Sequence, residues 1–123
     1  MEEFEKKLTI HRNHWFWGDS EYIIYGNGEG IIHMQIQDDY ADTAVLSGLS
    51  VIPAYRNKGL ATKLLEFAET EASKRGCKHV NLGTEKDTWL VEWYRRKGYR
   101  VVDTYSEDEF FEENPVVDLM KDI

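Results

Sequence analysis

Along the first third of the chain, apolar and polar positions alternate, and beyond residue 58 the period lengthens. Leu8 to Trp17 is aromatic-rich with partial alternation, and Glu21 to Tyr25 is a short apolar run. Ile31 to Gln37 places Ile32, Met34 and Ile36 on one face, and Ala44 to Ile52 repeats the pattern; each segment predicts a strand. Gly26-Asn27-Gly28-Glu29-Gly30 joins two of these runs with no helix after it, so it predicts a hairpin turn and not a dinucleotide fingerprint. Leu60, Leu64, Ala68 and Ala72 then recur at helical spacing, predicting a helix from near Lys58 to Arg75, closed by Gly76. Val80 to Gly83 reads as a short strand. Asp87 suits the N-cap of a second helix that ends at Gly98, and Tyr99 to Tyr105 and Val116 to Met120 read as closing strands. The order β-β-β-β-α-β-α-β-β predicts one α/β (α+β) domain over residues 1–123, with a mixed, mostly antiparallel central sheet flanked by helices.

The chemistry concentrates where the fourth strand meets the first helix. Val51-Ile52-Pro53-Ala54-Tyr55-Arg56-Asn57-Lys58-Gly59-Leu60-Ala61 is an apolar strand end, a basic loop with one glycine, and a helix start. A helix start offers unpaired N–H groups and a partial positive charge, and so receives anions. Gly59 lets a phosphate approach the backbone, while Arg56 and Lys58 add full charges. A P-loop is excluded, because Lys58 precedes the glycine and no Gly-Lys-Ser/Thr follows.

Arg56-x-x-Gly59-x-Ala61 resembles the acetyl-CoA loop of the GNAT superfamily of N-acetyltransferases. The segment Asp87 to Tyr99, containing Tyr94-x-x-x-Gly98-Tyr99, resembles that family's second helix, and the two motifs stand in the family's order over roughly residues 45 to 105. The resemblance implies acetyl-CoA held between two splayed parallel strands and attacked directly by an amine. It implies backbone donors at Val51 and Ile52 for the pantetheine arm and the thioester carbonyl, and a pyrophosphate cradle of Arg56, Asn57, Lys58, Gly59, Leu60, Ala61 and Thr62. Tyr94 falls on the position of a general acid for the departing thiolate. For the base, Glu85 near the mouth of the splay is the first choice, with Asp42, His33, Asp38 and a water chain as rivals. The chain departs from the family between its first two strands, where Gly18-Asp19-Ser20 leaves no room for the helices that wall the acceptor pocket. A second subunit, as in a homodimer, would complete that wall; an open groove would admit a large acceptor. A catalytically weak CoA-binding or sensor domain, or an interaction domain, is the alternative to the enzyme.

The net charge of −8 argues against nucleic-acid binding, and also raises the question of how an anionic cosubstrate is held. Distribution answers it. Arg56, Lys58 and Lys63 surround the loop, and Arg95, Arg96 and Lys97 end the second helix, while Glu107, Asp108, Glu109, Glu112 and Glu113 lie apart. That acidic stretch, Ser106 to Asn114, suits a cationic acceptor such as a polyamine, an aminoglycoside or a basic peptide, or simply solvent. No apolar run reaches membrane-spanning length, the N-terminus is not a signal peptide, and the single Cys77 fits a reducing cytoplasm. His11 and His14 are three apart on a strand and face opposite ways, so no metal is expected. Trp15-Phe16-Trp17 is expected in the core, or else at a dimer surface or acceptor wall.

Overall fold

In the computed structural model, which describes residues 7–15, 18–86, 88–106 and 115–123, the alternating segments form seven strands and the longer-period segments two α-helices. They run β1 (Lys7–Trp15), β2 (Gly18–Gly26), β3 (Gly30–Gln37), β4 (Thr43–Val51), α1 (Leu60–Lys74), β5 (His79–Glu85), α2 (Trp89–Arg96), β6 (Arg100–Ser106) and β7 (Pro115–Asp122). β1 to β4 form an antiparallel meander. β4 pairs with β5 in parallel, and β7 enters between β5 and β6, antiparallel to both.

Element ends differ from expectation for local reasons. α1 starts at Leu60 and not near Lys58, because Asn57 (φ 62°) and Gly59 (φ 83°) take left-handed backbone that a helix cannot contain. The extended residue before α2 is Thr88, while Asp87 lies outside the described residues. So does most of the acidic stretch, 107–114, together with Phe16 and Trp17.

The apolar stripe of α1 is buried as its spacing requires: Leu60, Leu64, Leu65, Ala68 and Ala72 all sit in the core against Ile23, Ile32, Met34, Ala44 and Val80. Burying one leucine of this kind stabilises by about 1.5–3 kcal/mol. Gly30 lets the helix come close, since a Cβ there would stand 3.0 Å from Leu60 Cδ2 and 3.1 Å from Leu64 Cδ1. Two polar clamps fix the helix. Arg75, at its C-cap, donates to Glu21 of β2 (2.9 Å) and to Glu71, so the buried Glu71 carboxylate is paired. Midway along, Glu69 accepts from the Tyr99 hydroxyl (2.9 Å) and from Lys121 Nζ of β7 (3.1 Å).

The second clamp shows that both helices cover the same face, because the Tyr94 ring of α2 meets Tyr99 edge-on at 5.6 Å. Right-handed crossovers made in one direction along a sheet give this arrangement. Among the described residues, the other face carries no helix. β1 and β2 pair in register down to Trp15 and Gly18, which leaves no length for a helix between them.

The β2–β3 turn yields a stability test. Gly26 has φ 138°, and a Cβ there would fall 2.2 Å from the Gly30 carbonyl oxygen, whereas a Cβ at Gly28 meets nothing within 4 Å. Gly26→Ala is expected to lower unfolding free energy in urea by about 2 kcal/mol or more, and Gly28→Ala by well under about 1 kcal/mol. Equal midpoints for the two variants would contradict the turn.

Candidate active site

β4 and β5 pair only at Thr43–Val45 with His79–Asn81. Beyond that point β4 continues to Val51 and β5 to Glu85, parted from each other. A cavity of about 650 Å³ fills the gap, lined by Leu46 to Val51 of β4, Leu82 to Thr84 of β5, the start of α1, and Trp89, Leu90, Trp93 and Tyr94 of α2. Backbone groups of β4 that would have bonded to β5 therefore face the cavity. Which groups these are follows from the other edge of the strand. The Ile52 N–H donates to the Glu29 carbonyl at 3.1 Å, and Val51 stands opposite Gly30. Antiparallel pairs alternate between bonded and non-bonded, so the Val51 and Leu49 N–H groups turn away from β3 and into the gap. Of the two donors expected from the sequence, Val51 faces the cavity and Ile52 is engaged elsewhere; Leu49 takes the second place.

A bulge assists this. His33 stands opposite Gly48 and Met34 opposite Leu46, leaving Ser47 as the extra residue of β4. Bulges re-aim neighbouring side chains and end regular pairing. A glycine within an apolar run is the sequence signal for it, at Ser47-Gly48.

At one end of the cavity stands the basic loop. The first intrahelical bond of α1 runs from Lys63 N–H to the Gly59 carbonyl (3.1 Å), so the N–H groups of Gly59, Leu60, Ala61 and Thr62 precede it without helical partners. Arg56, Asn57, Gly59, Leu60, Ala61 and Thr62 all line the cavity. Arg56 Nε donates to the Val51 carbonyl at 2.9 Å, which ties the loop to the strand end and leaves the outer guanidinium nitrogens for an anion. Lys58 is not among the lining residues; its ammonium lies 5.7 Å from the centre of the Tyr55 ring.

Tyr94 lines the cavity from α2, is 8% exposed, and packs edge-on against Trp93 and Tyr99. Burial pushes its phenol above the ordinary range. Tyr99 is pushed higher still, by burial first and then by the Glu69 carboxylate that it bonds. Glu85, by contrast, is exposed at the end of β5 and does not line the cavity; its backbone carbonyl accepts from Thr88 Oγ1. The cavity also includes Trp89, 73% exposed at the rim, which nothing in the sequence distinguished from an ordinary helix residue. Cys77 is buried away from the cavity with its thiol on the Ala41 carbonyl, and His11 and His14 lie on opposite faces of β1.

A model described as the acetyltransferase (GNAT) family matches residues 2–99, and the chain belongs to that family. It is 34% identical over 61 residues to an uncharacterised N-acetyltransferase of Schizosaccharomyces pombe, a match covering 50% of this chain and 42% of that protein. It is 43% identical over 53 residues to the S-(2-succino)cysteine N-acetyltransferase of Bacillus subtilis, covering 41% of this chain and 32% of the relative. The chain thus matches less than half the length of either relative. A solved GNAT family acetyltransferase from Elizabethkingia anophelis with acetyl-CoA bound has a TM-score of 0.70 at 14% identity, covering 94% of this chain and 98% of that one, a likeness of fold.

The raised phenols carry a pH signature. The folded state prefers Tyr94 and Tyr99 neutral, while the unfolded chain ionises them near their ordinary pKa of about 10. Their contribution is full below about pH 10 and is lost as pH rises toward the folded-state values. Melting temperature is expected to hold steady up to about pH 10 and to fall progressively above it, and Tyr99→Phe to flatten that fall while lowering stability at neutral pH. An unchanged slope in the variant would show that Tyr99 does not carry the effect.

Proposed function

We propose that this chain transfers the acetyl group of acetyl-CoA to a primary amine by direct attack of the amine on the thioester. One observation carries the reading: a single cavity joins a helix start rich in unpaired N–H groups, a strand whose N–H groups have lost their sheet partner, and a buried phenol. These match a cosubstrate with a pyrophosphate at one end, an amide-bearing arm in the middle and a thioester at the other. In this reading Gly59 to Thr62 bind the pyrophosphate through main-chain N–H groups, with Arg56, Asn57 and Lys58 alongside. Val51 and Leu49 hold the arm and polarise the thioester carbonyl, where preorganised donors act most strongly on developing negative charge. Ile52 closes the strand end through its bond to Glu29.

Tyr94 stands as the acid for the leaving sulfur. A phenol raised above about 10 is a weaker acid than a thiol of pKa about 8.5, so its role is to keep a hydrogen bond on the thiolate as the C–S bond breaks. Because the phenol stays protonated throughout the neutral range, the donor is always present. Glu85 enters at the rim, next to the lining residue Thr84, where a carboxylate attracts a cationic amine while also making it harder to deprotonate. The acceptor class proposed is therefore a cationic primary amine, such as a polyamine, an aminoglycoside or a peptide amine. A CoA-binding domain without turnover is the second reading, favoured by the helix-free face on which an acceptor would have to be held.

Binding and turnover separate the two. Acetyl-CoA titrated calorimetrically into the wild type is expected to bind, and Gly59→Glu to abolish binding by placing a carboxylate at the phosphate site; equal affinity would sink the loop assignment. A Cβ at Gly59 meets nothing within 4 Å, so a folding collapse is not the expected cause, although φ 83° adds local strain. Thiol release with an amine panel is expected for one amine class, and Tyr94→Phe to slow it by roughly ten- to a thousandfold with little change in acetyl-CoA affinity. Binding without release for any amine would favour the second reading.

A further inference from the structure

The amine must lose a proton, and among the described residues no carboxylate lines the cavity to take it. On the helix-free face, directly behind the bulge, a chain of three polar side chains ends in the cavity. Ile23, Ile32 and Met34 point toward the helices, so their neighbours Tyr22 and His33 point the other way. The Tyr22 hydroxyl lies 3.1 Å from His33 Nδ1 and 3.3 Å from Ser47 Oγ. The His33 ring packs against Tyr22 edge-on at 5.8 Å and lies over Gly48, where an added Cβ would stand 3.7 Å from its Cδ2, an ordinary contact. Of the three, Ser47 lines the cavity. It does so because it is the extra residue of the bulge, at the level where β4 leaves β5.

We infer that Ser47, Tyr22 and His33 form a relay that carries the proton of the acceptor amine out of the cavity to the imidazole. This rests on the acetyl-transfer reading above. In the relay the Ser47 hydroxyl donates to Tyr22, and the Tyr22 hydroxyl donates to His33 Nδ1. Once the ammonium has given its first proton to solvent, the neutral amine attacks the thioester carbonyl carbon, the C–N bond forms and the carbonyl electron pair moves to oxygen, toward the Val51 and Leu49 N–H groups. The nitrogen proton passes to Ser47 Oγ, the serine proton to Tyr22, and the tyrosine proton to Nδ1. Collapse restores the C=O bond and breaks the C–S bond, and sulfur leaves with the electron pair, hydrogen-bonded by Tyr94. The imidazolium then releases its Nε2 proton to water on the helix-free face, and solvent-mediated tautomer exchange, with rotation of the two hydroxyls, restores the bare Nδ1 for the next turnover. Imidazole suits the terminal position because it exchanges protons in the range where enzymes operate. Tyr22 faces His33 from β2 and Ser47 and Gly48 face it from β4; His11 of β1 stands opposite Tyr22 one strand further out. Ser47 is the residue that would touch the amine, and Tyr22 and His33 act through it.

The direction of the relay can be read without an acceptor. Nitrogen NMR of histidine-labelled protein, with His33→Gln to assign the signal among the four histidines, is expected to show the neutral form of His33 with Nε2 protonated and Nδ1 bare and accepting. A proton on Nδ1 in that form overturns the relay. Kinetically, Tyr22→Phe removes both hydrogen bonds, and with glycinamide as acceptor it is expected to lower kcat ten- to a hundredfold. Acetyl-CoA affinity should be unchanged, and the acid limb of the pH–rate profile displaced. Ser47→Ala, at an exposed position that does not threaten folding, is expected to do the same. Normal acetyl-CoA binding with both variants turning over like wild type removes the relay alone. No acetyl-CoA binding by the wild type removes the acetyl-transfer reading on which it rests. If the wild type binds acetyl-CoA but does not turn over glycinamide, the imidazole tautomer decides.

Discussion

Everything at the candidate site depends on one failure of pairing, the parting of β4 from β5 after three registered positions. A strand edge in a protein interior cannot leave its N–H and C=O groups without partners. Here side chains from both helices, Leu60 from α1 and Tyr94 from α2, line the space between the parted strands. In the function proposed above, that edge receives the amide-bearing arm of the cosubstrate. The Ser47 bulge belongs to the same device, because it changes the parity of β4 midway and decides which side chains reach the opening.

The two ends of the opening differ in charge and in cover. On the helix side, Arg56, Lys58 and the α1 start concentrate positive potential in a chain whose net charge is −8, which works because potential at a concave site follows local charge. The opposite side has no helix among the described residues and presents the half-buried Tyr22, His33 and Gln35. Such a division suits a reaction in which a polyanion enters from one side and a cation from the other, since neither must pass the other's electrostatic field.

The element order was legible in the sequence because hydrophobic periodicity determines it, and Leu60, Leu64, Ala68 and Ala72 lie buried where their spacing placed them. The loop was legible for a similar reason: Gly59 and its basic neighbours state their chemistry locally. Strand parity was not. Whether Val51 or Ile52 aims its N–H into the gap depends on the β3 register, which the Ile52–Glu29 bond fixes from across the sheet. The placement of Glu85 outside the lining depends in the same way on where β5 ends. Pairing both helices on one face required knowing that β7 enters between β5 and β6, a non-local choice. The cluster of Tyr22, His33 and Ser47 draws on three strands, and its members are 11 and 25 residues apart from Tyr22, beyond the reach of any motif.

The position of β7 has a consequence for how the molecule comes into being. β1 to β4 pair with sequence neighbours, so that half of the sheet can assemble as a meander while the chain is still being made. β5 has a long partner only in β7, and Lys121 at the end of β7 supplies the cation that pairs Glu69 beneath α1. Until that strand emerges, β5 has only its short ladder to β4, and Tyr99 and Tyr94 lack their finished support. The meander is therefore the early half of this domain, and the half that contains β5 is braced by the last strand. A nascent chain halted before β7 would hold the basic loop on a formed meander, with β5 tied to it by three residue pairs alone.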